Sequence, residues 1–120
     1  MILVDTSVWI DHLRTGDERL AELLDASQVF THPFVIGELA CGNLRNRDDV
    51  LRLLNDLPSA VVASQNEVLH FIGYRKLMGL GIGFIDAHLL ASAALSDMAA
   101  IWTRDKRLQK TARMLDLAFD

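Results

Sequence analysis

The chain has 120 residues, with 12 Lys and Arg against 16 Asp and Glu, a formal net charge of −4. That excess of acid excludes a strongly basic nucleic-acid clamp, and a hydrophobic content of 51% with mean hydropathy +0.21 excludes intrinsic disorder. One cysteine, Cys41, leaves no intramolecular disulfide and no cysteine zinc site, which fits a reducing cytoplasm. The length suits a single domain over residues 1–120, and its apolar surplus predicts a face reserved for a partner or second subunit.

Ile2-Leu3-Val4 reads as a buried strand. Asp5-Thr6-Ser7 offers helix caps, and Val8, Trp9, Ile10 and Leu13 follow at helical spacing up to a break near Gly16. Asp17-Glu18 opens a second helix, with acids in the first turn where the helix dipole favours them. Val29-Phe30-Thr31 is a second strand. Pro33 suits the first position of a helix that is apolar almost all round and therefore expected to be buried, with Glu38 in its middle and Cys41 as packing. Arg47 to Leu57 is an amphipathic helix closed by Pro58, and Ala60 to Ala63 a third strand. Ser64 caps a helix expected to run to about Leu80. After the glycine-rich break at Gly79, Gly81 and Gly83, a helix runs from Phe84 to Leu95. Met98 to Trp102 is a fourth strand, Lys106 to Asp116 a basic helix, and Leu117 to Phe119 a fifth, edge strand.

Short apolar strands alternating with helices predict an α/β three-layer sandwich, its central sheet mainly parallel and covered by helices on both faces. No stretch is long and charge-free enough to span a bilayer: Asp86, His88 and Asp97 interrupt the most apolar one, Phe84 to Trp102. The first residues lack the basic region of an export signal.

In such sheets ligands sit beyond the C-terminal strand ends. Asp5 directly follows the first strand, Glu38 lies in the helix after the second, Asp86 opens the helix after the glycine break, and Asp105 lies three residues past Trp102. Converging carboxylates repel one another and raise each other's pKa, a penalty that a hard divalent cation such as Mg²⁺ or Mn²⁺ removes. Such a site suits metal-assisted hydrolysis of a phosphodiester. Taken singly, Asp5, Asp86 and Asp105 are equally readable as helix caps, whereas Glu38 in mid-helix has no capping role. Residues 104–113 carry five basic residues against one acid, Asp105, and Arg104, Lys106 and Arg107 beside it are candidates for contact with the phosphates of a nucleic acid. Of the four histidines none forms a His-x₃-His pair. Trp9 and Trp102 read as core, and the glycines lack the strand and Lys-Ser/Thr that a phosphate loop needs.

The ordered set Val4-Asp5-Thr6-Ser7-Val8, Ile36-Gly37-Glu38-Leu39, Gly81 through Asp86 to Ala91, and Thr103-Arg104-Asp105 resembles the PIN-domain nucleases, and within them the VapC-type toxins of toxin–antitoxin pairs. The resemblance covers residues 2 to about 119. It implies a Mg²⁺- or Mn²⁺-dependent endoribonuclease with Asp5, Glu38, Asp86 and Asp105 as metal-binding and catalytic residues. Thr6, Ser7 and Thr103 would orient the acids. It further implies a homodimer and inhibition by a cognate VapB-like antitoxin. The alternatives are a PIN ribonuclease of RNA maturation or decay that has no antitoxin, and an inactive PIN scaffold that binds a partner.

Overall fold

A computed structural model describes all 120 residues. Three short strands, β1 (Ile2–Val4), β2 (Val29–Phe30) and β3 (Ala100–Trp102), alternate with seven helices. Between β1 and β2 lie α1 (Thr6–Thr15) and α2 (Glu18–Asp25); between β2 and β3 lie α3 (Pro33–Ala40), α4 (Arg47–Asp56), α5 (Gln65–Arg75) and α6 (Phe84–Leu95); α7 (Lys106–Met114) follows β3. The strands are parallel in the order β2-β1-β3, with Leu3 opposite both Phe30 and Ile101. β1 is central, so the β1-to-β2 and β2-to-β3 crossovers run in opposite directions. Right-handed connections of opposite direction lie on opposite faces of a sheet, giving the α/β layering expected. Leu3, Val4, Val8, Leu20, Leu89, Leu90 and Ile101 are buried in one 19-residue core.

Local chemistry sets the element ends. Ser64 and Glu67 form a reciprocal capping box at the start of α5. That helix stops at Arg75 rather than near Leu80, because Lys76 turns left-handed (φ 57°) and the Leu77 N–H donates to the Ile72 carbonyl. The turn buries Leu77 in the core, so an apolar pair that reads as more helix is used to end it.

The expected third strand, Ala60 to Ala63, is reduced to a single bridge between Ser59 and Thr31. Beyond it, the Val61 and Ala63 N–H groups donate to the hydroxyls of Ser96 and Ser92, so no ladder extends, and Val61 and Val62 face solvent. The expected C-terminal strand is likewise one bridge, Ala118 to Ile101.

α3 departs from expectation as well. Val35 and Leu39 are buried, but Phe34, Gly37 and Glu38 are exposed, and Cys41 is an exposed cap residue rather than packing. The helix packs mainly against α1 and α4, and its apolar composition outruns its burial.

Candidate functional site

All three parallel strands end at the same edge of the sheet, and three of the four acids come off that edge. Asp5 leaves β1 as the N-cap of α1 and is buried. Its side chain does not cap. Its Oδ2 instead accepts from Ser7 Oγ and from Thr103 Oγ1, each at 2.8 Å. Asp105 follows β3 as the N-cap of α7, its Oδ1 accepting from the Leu108 N–H at 2.9 Å. Glu38, carried by the helix after β2, accepts from Thr6 Oγ1 at 3.0 Å. Asp86 reaches the same place from another direction: it sits in the first turn of α6, where its Oδ2 accepts weakly from the Gly83 N–H at 3.4 Å. Asp86 and Asp105 engage a helix terminus with one oxygen and leave the other.

The electrostatics tie the four together. The Asp86 carboxyl is held above the usual carboxylate range, first by burial and then, against the Gly83 hydrogen bond, by repulsion from Asp5, Asp105 and Glu38. Their environments are unequal. Asp5 is buried and Asp86 half-buried, whereas Glu38 and Asp105 are exposed, so the apolar setting expected for Glu38 is replaced by a solvent-facing one. No three of these side chains are gathered tightly enough to form a ready coordination shell. Each hydrogen bond named above falls on a single oxygen of its acid and turns that acid toward its own local donor.

Around the acids, Lys106 and Arg107 are exposed at the start of α7. The Arg107 side chain lies across Gly81, where a Cβ would come within 2.9 Å of the Arg107 Cδ and where the positive φ of 81° strains any residue but glycine. Arg104 is committed elsewhere: its guanidinium pairs with both Asp11 and Asp17. Those two partners were not legible in the sequence, being 93 and 87 residues away. A groove of about 760 Å³ between α1, α3 and α4 meets the acids only at Glu38.

Behind the site His32 is fully buried. Its Nδ1 accepts the Phe34 N–H at 3.0 Å, capping α3, and its Nε2 lies 3.1 Å from Ser92 Oγ. His88, buried between Phe34 and Phe84, packs edge-on against both rings. Trp9 and Trp102 are core residues.

The PIN domain family model matches residues 2–114. This chain belongs to the PIN domain family. The same PIN domain is 54% identical over 109 residues to Ribonuclease VapC32 of Mycobacterium tuberculosis, in strain CDC 1551 / Oshkosh and equally in strain ATCC 25618 / H37Rv. Each alignment covers 91% of this PIN domain and 88% of the relative. No helix of this PIN domain is long and apolar enough to cross a membrane.

Proposed function

We propose that this chain is an endoribonuclease, the VapC-type toxin of a toxin–antitoxin pair, working as one PIN unit over its whole length. The observation that carries the reading is the 54% identity to a ribonuclease across 91% of the chain. The donor set fits a hard divalent cation: four carboxylates, with Asp86 held above its usual range first by burial and then by the charges of the other three. Asp5, Glu38, Asp86 and Asp105 would hold Mg²⁺ or Mn²⁺. Bound there, the ion would supply Lewis-acid stabilisation of phosphoryl charge and an acidified water.

The chain's own residues do the rest. Ser7 and Thr103 turn one oxygen of Asp5 away and leave the other for the site. Thr6 does the same for Glu38. Lys106 and Arg107, free of ion pairs, are placed to hold RNA phosphates beside the acids, contacts that position a strand without reading its sequence. The exposed apolar side chains Leu69, Tyr74 and Leu95 on α5 and α6 support a homodimer and a VapB-like antitoxin as partners, and the cytoplasm is where such a toxin would meet its RNA.

The test is cleavage of single-stranded RNA by the purified protein with Mg²⁺ or Mn²⁺. Cleavage should stop on chelation and in Asp5→Asn and Asp86→Asn. Full activity in either variant refutes the assignment, and binding of RNA or antitoxin with no cleavage under any metal makes the chain a scaffold instead.

A further inference from the structure

The turn that carries Asp105 is fastened by an ion-pair clamp, and its parts lead to the most buried of the four acids. Nη1 of Arg104 reaches Asp11 on α1, and Nη2 reaches Asp17 at the head of α2. Asp17 is itself immobilised, since its other oxygen caps α2 through the Leu20 N–H at 2.9 Å. A planar guanidinium gripped at both nitrogens has a fixed orientation. Arg104 contributes one positive charge and its partners two negative ones, so the clamp as a whole is anionic, the wrong sign for a phosphate anchor.

The backbone of the same residue completes the connection. The Arg104 N–H donates to Ser7 Oγ at 3.0 Å, and the single Ser7 hydroxyl proton is donated to Asp5 Oδ2 at 2.8 Å. One residue earlier, Thr103 Oγ1 accepts the Asp105 N–H at 3.1 Å and donates its own proton to the same Asp5 oxygen at 2.8 Å. Both hydroxyls pass the position of the 103–105 turn to one carboxylate oxygen, so a shift of the turn displaces Asp5 and Asp105 together.

Resting on the nuclease reading above, we propose that Arg104 is a positioning residue rather than an RNA contact: clamped between Asp11 and Asp17, it fixes the turn that orients Asp5 through Ser7 and Thr103. The half-exposed pairs (Arg104 40%, Asp11 44%, Asp17 20%) add little stability; what they supply is geometry.

The test compares wild type, Arg104→Ala, Arg104→Lys, Asp11→Asn and the Arg104→Ala/Asp11→Asn pair in Mn²⁺-dependent cleavage of a fluorogenic single-stranded RNA, with kcat and KM separated across a salt series. Arg104→Ala and Asp11→Asn should each lower kcat about tenfold, the low end for partners that orient metal ligands, with KM and its salt dependence unchanged. The double variant should be no worse than either single one, and Arg104→Lys should retain part of the rate. In the metal-free protein, NMR should find the Arg104 amide exchanging about tenfold faster in Asp11→Asn. The two roles of Arg104 predict opposite signs. Were it an RNA contact, Asp11→Asn would free it and lower KM, while Arg104→Ala would raise KM and flatten the salt slope; that pattern overturns the proposal, as do unchanged kcat and unchanged amide exchange. If Arg104→Ala does not fold, the surface change Asp11→Asn decides alone. A wild type without RNase activity removes the nuclease reading, and the amide exchange still decides whether the clamp holds the turn.

Discussion

Acidification should destabilise the metal-free protein through one buried ring. His32 is wholly out of contact with water and neutral, accepting the Phe34 N–H on Nδ1, which puts its only proton on Nε2, toward Ser92. Burial, and then the neighbouring His88, push its pKa from 6.5 down to about 4. Between those values the unfolded chain binds a proton that the folded chain refuses, so stability is full above about pH 6.5 and is lost as pH falls toward 4. Linkage over that interval amounts to about 2 kcal/mol between pH 7 and pH 5. The perturbation that isolates it is His32→Asn, which keeps an acceptor for the Phe34 N–H but cannot titrate. Urea unfolding in EDTA at both pH values gives the four free energies required. The variant should be less stable than wild type at pH 7, yet its loss on going to pH 5 should be smaller by about 2 kcal/mol. Equal losses, within about 0.5 kcal/mol, would refute the reasoning.

Three other outcomes follow from the same geometry. Asp86→Asn should abolish RNA cleavage and yet raise the melting temperature of the metal-free protein at pH 7, because a carboxyl held above its usual range, by burial first and by like charges second, is a charge the fold resists; Mn²⁺ should stabilise wild type more than the variant, and a variant less stable than wild type in EDTA would contradict this argument. Thr103→Val removes one of the two hydroxyls on Asp5 and should cut kcat roughly 10- to 100-fold, read in the same RNA assay, with the far-ultraviolet circular dichroism unchanged. Leu89→Ala opens a cavity in the fully buried centre of α6 and should cost about 2–5 kcal/mol in urea unfolding.

Much of this molecule is written locally. β1, the α1 break at Gly16, Pro33 at the start of α3 and the span Phe84–Leu95 were legible because apolar period, caps and turn residues act within a few positions of themselves. The order of the acids along the chain was legible for the same reason, since each follows a strand end or opens a helix. Where local signals were ambiguous, distant partners decided. Val61 and Val62 have the composition of a strand, but Ser92 and Ser96 took the neighbouring N–H groups. Leu77 has the composition of a helix, but the core received it through a left-handed turn at Lys76. Arg104 has the charge of an RNA contact, but its guanidinium is paired with two acids 93 and 87 residues away in the chain.

By itself the sequence determined the class of fold and the types and order of the groups that could hold a metal. Only the tertiary structure decided which oxygen of each acid is tied down, that Glu38 faces water, and that the turn after β3 is clamped to α1 and α2. The physical reason is one of range: propensity and capping act between neighbours in the chain, whereas hydrogen bonds and charges act between neighbours in space, and the folded sheet determines which those are.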